Sequence, residues 1–530
     1  MSIDPARPAW VTDELIARWC EGVRRDAKRG DAERPEPLSA LAPFDLTPTA
    51  AVPRCDPADV TEAVTGARTA QAAWAGTTLK HRADLALAFH DLLLKRQDEV
   101  LDLIQWETGK ARYHAWMEVA QVATIARHYA RRARHYLAPH RVRGMIPGAT
   151  RVQEARVPKG VVGIVSPWNY PLYLGVGDVL PALIAGNAVV SKADSQTPLT
   201  LLWTRALMAE AGLPTDLWQI VTGPGSVIGT ALVDAVDYVC FTGSTATGRA
   251  VGERAARRLI GASLELGGKN PLLVRADADV QAAAAGTVTA AFANTGQMCI
   301  HIERVYVHEK VYDAFRDELV RATVALRLGR TYDYTSDIGS LTSRAQLEAV
   351  RAHVDEAVAK GATVLAGGRA RPDIGPLFYE PTVLEGVTSD MAVCGEETFG
   401  PVVSLYPCTS DQEAVDLANQ GTYGLSASIW SRDTREAARL ARRIRSGSVN
   451  INDGAAAAAG SIEAGMGGMG DSGLGRRHGA EGIRKYTESQ TLATQRLLPL
   501  GPTTPEESSV KSFIRRTNGQ LALLRRLGVR

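Results

Sequence analysis

The chain has 530 residues, 45% of them hydrophobic and 22% charged, a composition that suits a globular enzyme of roughly three to four domains at about 150 residues each. Its 60 basic and 58 acidic residues leave a formal net charge of +2, which removes the electrostatic case for a nucleic-acid partner. Cysteines at 20, 55, 240, 299, 394 and 408 form no C-x-x-C pair, which argues against a disulfide scaffold or a zinc site; the start MSIDPARPAW is unlike a signal peptide, no apolar run is long enough to span a membrane, and a cytoplasmic protein without bound metal is expected.

Residues 1–50 are rich in Pro, Arg and Asp, with one helical stretch around 12–25. They read as a loosely attached surface arm, assigned to 1–34. Three helices are expected next, Asp59–Trp74, Arg82–Thr108 and Tyr113–Arg134, the second carrying Leu85, Leu87, Phe89 and Leu92–Leu94 near helical spacing. His81 and His90 read as solvated or core-edge residues.

At Arg151 the texture changes to short β-branched runs, Val161–Val165, Ala188–Ser191, Trp218–Val221 and Tyr238–Phe241, with a helix at Thr200–Ala211 among them. A second series comprises Leu272–Val274, Arg304–Val307, Val364–Ala366, Val402–Tyr406, Ala427–Trp430 and Ser448–Ile451. Helices at Val311–Leu328, Ser343–Lys360 and Thr434–Ile444 separate its members. This alternation predicts an α/β protein with two largely parallel sheets. The small-residue stretch Asp453–Gly475 is expected to be a loop laid over something else. The last thirty residues interleave Arg515, Arg516, Arg525 and Arg526 with Leu521, Leu523, Leu524 and Leu527; this is a basic amphipathic pattern of the kind that also binds membrane surfaces, and the expectation is a tail packed on the body or frayed.

Four separated motifs carry the chemistry. In GVVGIVSPWNYP a strand opens into a turn holding Trp168, Asn169 and Tyr170, where open α/β sheets bind ligands. In VVSKADSQTP a strand ends at Lys192, followed by Ala193, Asp194 and Ser195; a cation and a hydroxyl there can hold a ribose or a phosphate. The segments GPGSVIG and FTGSTATG supply Gly223, Gly225 and Gly229, then Gly243, Ser244 and Gly248, so that a helix starting near Ser244 would aim free N–H groups at a pyrophosphate. Neither matches the strict dinucleotide fingerprint. Finally, LELGGKN and FANTGQMCI place Glu265 and Cys299 beside glycine-rich turns, as a carboxylate base and a thiol nucleophile sharing one substrate carbon would require.

With PWNYP, LELGGKN, GQMC, EETFGPVV and GMGDSGLGRRHG in order over residues 35–498, the chain resembles the NAD(P)-dependent aldehyde dehydrogenases. Its unbroken stretches GNAVVSKADSQTP, ARPDIGPLFYEPTV and GGMGDSGLGRRHG are most similar to actinobacterial NADP-type succinate-semialdehyde dehydrogenases. The resemblance implies a variant Rossmann cofactor domain (35–140 and 159–266), an α/β catalytic domain (267–465), an oligomerisation β-arm (141–158 and 484–498) and a basic tail (499–530). It implies Cys299 as nucleophile, with its pKa lowered by backbone and cofactor, and Asn169 as an oxyanion donor worth about 3–4 kcal/mol. Glu265 is implied as the base that activates water, which points to hydrolysis and not CoA transfer. Trp168, Asn169, Lys192, Ala193, Asp194, Ser195, Gly243, Ser244, Leu266, Glu397 and Phe399 are implied to line the cofactor groove.

Many NAD-preferring relatives carry Glu where this chain has Ser195; removing that carboxylate admits a 2′-phosphate, and Lys192 can attract it. NADP is therefore the expected cofactor, with NAD as the second choice. The expected reaction is oxidation of succinate semialdehyde to succinate through a thiohemiacetal and a thioester. The two arginines that commonly hold the substrate carboxylate are replaced by Gly177 and Ala293, so Tyr170, Tyr173 and Ser461 are the remaining substrate contacts, with Arg304 or His301 as substitute charges. Apolar, aromatic or longer-chain aldehydes form the rival substrate class. A cysteine thioesterase or hydrolase built on Cys299 and His301 is a remote alternative, because residues two apart rarely present both groups to one atom. The resemblance also implies a homodimer or homotetramer.

Overall fold

Valine-rich runs bounded by Gly and Asn become buried strands, and their order creates the crevice in which the motifs meet. The computed structural model describes residues 7–23, 35–144, 150–496 and 500–528. Its first sheet runs, edge to edge, Gly473–Leu474, Gly261–Glu265, Tyr238–Thr242, Val161–Val165, Ala188–Lys192 and Trp218–Val221. Every pairing is parallel except that of Gly473–Leu474 on Gly261–Glu265. Chain order reverses between Val161–Val165 and Tyr238–Thr242, so the carboxyl ends of these two strands form the switch-point crevice where such sheets take ligands.

The second sheet has the order Thr363–Ala366, Thr382–Glu385, Val402–Cys408, Ile302–His308, Asn270–Val274, Ser426–Trp430 and Ser448–Ile451. Only Thr363–Ala366 runs antiparallel to its neighbour. The strands bury a continuous apolar layer with the Val280–Phe292 and Tyr312–Val324 helices. Successive strands read as unbroken apolar runs because helices cover both faces. A third, antiparallel sheet joins His140–Val142, Thr150–Pro158 and Thr487–Gln495, and the last strand is exposed after Thr487.

Three sequence expectations are corrected. The helix expected over Arg82–Thr108 is two helices, Leu79–Lys95 and Gln97–Thr108. Arg96 between them leaves helical geometry at φ −111°, ψ 24° and ties the break to Glu99 and Glu210 with its guanidinium. The N-terminal segment is not loosely attached where it is described. Helix Asp13–Cys20 buries Ile16 and Trp19, Trp10 donates to Asp102 at 2.9 Å, and Val23 pairs with Ile220 on the edge strand of the first sheet, covering an otherwise open edge. Residues 24–34 of that expected arm lie outside the described residues. The C-terminal segment is neither packed nor frayed: Glu507–Arg526 forms a helix with no buried residue.

The Asp453–Gly475 loop does lie over something. Its end, Gly473–Leu474, pairs with Glu265 and Leu264 and closes the edge of the first sheet. Among the described residues no helix is long and apolar enough to cross a membrane.

Candidate active site

Cys299 follows a backbone segment in which three successive residues, Asn294, Thr295 and Gly296, take positive φ of 51°, 57° and 71°. Such left-handed geometry in non-glycine residues is costly and persists only where surrounding contacts fix it. Here Gln297 accepts from Thr342 N–H at 2.9 Å and donates to the Asn294 carbonyl at 3.1 Å. Asn270 donates to the Cys299 carbonyl at 2.8 Å. Gly268 is required by close approach, since a Cβ there would lie 2.8 Å from the same carbonyl.

The structure reverses one expectation for this thiol. Burial, with Glu265 and Glu397 nearby, pushes the Cys299 pKa up to about 12, against the opposing pull of Arg477 and a backbone hydrogen bond. The resting group is a thiol, and its activation requires a proton acceptor at the moment of attack.

Glu265 ends its strand beneath the small-residue loop. Burial raises its carboxyl to about 7, while Arg477 and Lys485 pull the other way. One carboxyl oxygen, Oε1, is buried without a hydrogen-bond partner in the protein. A group of this kind takes a proton near neutral pH, which is what a general base needs.

Asn169 is buried and its side-chain amide donates to the Gln297 carbonyl at 3.0 Å, leaving its second N–H for another acceptor. The turn that carries it rests on a pair that sequence reasoning missed. Lys110 and Glu118 are fully buried 2.6 Å apart; Lys110 also donates to the Asn169 carbonyl at 2.6 Å, and Glu118 accepts the Leu172 and Tyr173 N–H groups at 2.9 and 3.0 Å. Glu118 sits on the Arg112–Leu137 helix and Lys110 in the short connection that precedes it. The one available signal was Gly109, whose φ of 73° ends the helix immediately before Lys110.

Of the cofactor candidates, Lys192, Gly243 and Leu266 lie at or just past the carboxyl ends of their strands, and none of the candidates is among the residues lining the groove beside the switch point. A groove of about 570 Å³ lies between Val165, Phe241, Thr230, Thr247, Val251 and Arg254. Side chains added at Gly225 or Gly229 would meet nothing within 4 Å, so the backbone is open to a ligand. Ser244 caps the Thr245–Arg257 helix by accepting from Thr247 N–H. At the strand end Lys192 is buried 3.9 Å from Asp194, and burial lowers its pKa despite that neighbour. Asp194 also accepts Gln196 N–H at 2.9 Å, Ser195 donates to the Gly223 carbonyl at 3.3 Å, and Ala193 N–H bonds Val221.

On the other side, Glu397 accepts Gly268 N–H at 2.9 Å, and burial raises its carboxyl to about 7. A Cβ at Gly267 would lie 2.3 Å from Glu397 Oε2 and would force that carboxylate to move. Phe399, at φ 51°, packs edge-on against Trp168 with centroids 5.6 Å apart. A Cβ on Gly248 would strike Leu266 at 2.3 Å, and one on Gly243 would strike Phe241 at 2.7 Å. The open backbone, the capped helix start and the two carboxylate-bearing rims fit a dinucleotide. Among the described residues, no cluster of three or more His, Cys, Asp or Glu could hold a metal ion.

The mouth above Cys299 is apolar: Ile300, Leu425 and Ala455 are buried there with Met298, Ala459 and Met466 against them. Tyr170 donates to Met298 Sδ at 3.5 Å with Lys110 stacked 4.0 Å over its ring. Tyr173 hydroxyl lies 3.2 Å from His478 Nε2. Ser461 is partly exposed at the end of this loop. Gly177 faces Ile125 and Tyr173, and Ala293 is buried. Neither substitute charge is available. Arg304 donates to the carbonyls of Lys269, Ala418, Leu417 and Gln420, and His301 lies 3.0 Å from Glu303 in full burial.

Residues 31–492 match the model of the aldehyde dehydrogenase family. A protein of Mycolicibacterium smegmatis, provisionally named a succinate-semialdehyde dehydrogenase (NADP), is 51% identical over 472 residues, covering 89% of this chain and 91% of its own. Among solved structures, an NADP-dependent enzyme of E. coli is 32% identical with a TM-score of 0.84, over 87% of this chain and 95% of its own. Betaine aldehyde dehydrogenase of Staphylococcus aureus in complex with NAD is 28% identical with a TM-score of 0.85, over 91% and 96%. The chain belongs to the aldehyde dehydrogenase family and is an α/β enzyme of aldehyde oxidation.

Proposed function

We propose that this enzyme oxidises succinate semialdehyde to succinate with NADP, through Cys299, Asn169 and Glu265. What supports the chemistry is a half-buried Cys299 thiol under the electrostatic influence of Glu265, whose carboxyl titrates near 7, together with an Asn169 amide bonded to the carbonyl two residues before the thiol and keeping a second N–H free. The substrate rests on 51% identity to the mycobacterial relative of that name.

Cys299 attacks the aldehyde carbon as its thiol proton passes to solvent, and the thiohemiacetal oxygen develops charge toward Asn169 and the Cys299 N–H. When bound, the nicotinamide supplies the hydride acceptor that leaves a thioester on Cys299. Glu265 then takes a proton from water as the water oxygen attacks the thioester carbon. The carbon–sulfur bond breaks, and the thiolate recovers its proton. Trp168, Gly243, Ser244 and Leu266 would hold the cofactor beside the groove, with Glu397 and Phe399 at its nicotinamide end. Ser195 and Lys192 would receive a 2′-phosphate, helped by the turn that occupies Asp194.

The division into a cofactor domain around the first sheet, a catalytic domain around the second and an arm around the third belongs to the same reading. So does a cytoplasmic homodimer or homotetramer formed through the exposed Glu488–Gln495 edge. Light scattering after size-exclusion chromatography should show at least a dimer at micromolar concentration.

The deciding experiment measures kcat/KM for succinate semialdehyde and benzaldehyde with each cofactor. NADP and succinate semialdehyde should give the highest value. An NAD preference of about a hundredfold, roughly 2.7 kcal/mol, would sink the cofactor assignment. A comparable preference for benzaldehyde would favour the apolar substrates that the Ile300, Leu425 and Ala455 mouth admits.

A further inference from the structure

A group of charges lies behind Glu265, in a place where the reaction described so far uses none of them. Asp178, in the turn between the Pro171–Val176 and Val179–Ile184 helices, is buried. Its Oδ1 accepts from Lys485 at 2.9 Å and from the Tyr486 hydroxyl at 2.6 Å. Its Oδ2 lies 2.7 Å from Arg477 Nη2. Arg477, only 7% exposed in its side chain, donates to Thr242 Oγ1 at 2.6 Å. Thr242 and Glu265 are Cα partners on adjacent parallel strands, so their side chains share one face of the sheet.

The backbone fixes this arrangement from both sides. Met466 and Arg477 exchange backbone hydrogen bonds at 2.8 and 2.6 Å. Gly467 in the same hairpin approaches so closely that a Cβ would lie 3.1 Å from Glu265 Oε1. The backbone of Arg477 is thereby held beside Glu265, and its Nε has no hydrogen-bond partner.

A buried arginine paired with one aspartate would normally be a structural ion pair. Here the group holds more positive than negative charge: Arg477 and Lys485 against Asp178, with the uncharged Tyr486 as a further donor. The surplus is adjacent to the base. We propose that Arg477 is a positioning residue for the hydrolytic half-reaction, a fixed cation that keeps the Glu265 carboxylate available at neutral pH inside a site that would otherwise hold it protonated. This rests on Glu265 acting as the base.

The charged and titratable groups facing Glu265 are Arg477, Lys485, Asp178 and Arg476, with Tyr173 and Cys299 across the crevice. Burial drives the carboxyl up, Arg477 is the largest opposing influence and Lys485 the next. Asp178 is held well below the ordinary carboxylate range by Arg477 and Lys485 although burial alone would raise it. It remains an anion and dilutes the two cations without cancelling them.

The test compares wild type, Arg477→Met, Arg477→Lys and the double variant Arg477→Met/Asp178→Asn in the full-length enzyme. The readouts are the pH profile of steady-state turnover and the pre-steady-state burst of reduced cofactor. The double variant removes the charge pair together and keeps the experiment readable should Arg477→Met alone fold poorly. Arg477→Met should move the acid limb of the kcat profile upward by about one pH unit, a tenfold loss at pH values below the limb. The burst should persist, because acylation precedes the affected step, and Arg477→Lys should restore most of the wild-type profile. An acid limb unchanged within about 0.2 unit in both Met variants overturns the proposal. Glu265→Gln is the parallel control: turnover surviving that change would overturn Glu265 as the base, whichever way the arginine variants behave.

Discussion

Two buried charge groups flank the reactive centre, and they act on it differently. Lys110 and Glu118 pair beneath Asn169 and end their remaining hydrogen bonds on backbone, at the Asn169 carbonyl and the Leu172 and Tyr173 N–H groups. Asp178, Arg477 and Lys485 lie behind Glu265 and end theirs on side chains, Thr242, Ser263 and Tyr486 among them. The first group fixes where an amide points. The second surrounds a carboxyl whose protonation is the variable that matters. A buried ion pair is weak evidence for stability, since desolvation offsets most of the attraction, so its use is read from what its spare bonds touch.

The comparison can be broken most severely at the base itself. Glu265→Gln should reduce turnover by about 10²–10⁴-fold while leaving a burst of reduced cofactor, measured by stopped flow. Loss of the burst as well would mean that Glu265 is also indispensable as acceptor of the Cys299 proton. Next in size is Lys110→Met, which strands Glu118 as a buried charge and should cost about 3–5 kcal/mol of stability in a denaturant titration. Replacing both partners, Lys110→Met with Glu118→Leu, should recover most of that stability but not the rate, because the Asn169 turn loses its anchor.

The pH dependence separates the two groups further. Glu265 works as a carboxylate and its pKa is raised to about 7, so steady-state turnover should fall as pH drops below about 7. The burst amplitude, which reports folded and loaded enzyme, should change much less over the same window. The smallest effect sits away from both groups. Ser195→Glu should lower the NADP to NAD ratio of kcat/KM about tenfold, near 1.4 kcal/mol, by placing a carboxylate where a 2′-phosphate would lie.

Much of the fold was legible because strand signals are local. The runs Val161–Val165, Trp218–Val221 and Ser448–Ile451 were bounded by composition alone and form at those residues. Less local features misled. The break at Arg96 has no glycine or proline to mark it and depends on Glu210, far along the chain. The docking of Trp10 and Trp19 depends on Asp102 and on an uncovered sheet edge. The thiol of Cys299 was expected to be acidified, and the reverse holds because folding desolvates it and then gathers two carboxylates around it.

By itself the sequence determined which residue types stand at strand ends and glycine turns: Asn169, Lys192, Glu265 and Cys299. Hydrophobic period and turn chemistry act over a few residues and survive without tertiary context. Only the tertiary structure decided what surrounds them. Lys110, Glu118, Asp178 and Arg477 are charged residues that look solvated in one dimension and are buried in three. Their effect depends on distance and desolvation, which are properties of packing and cannot be read from order along the chain.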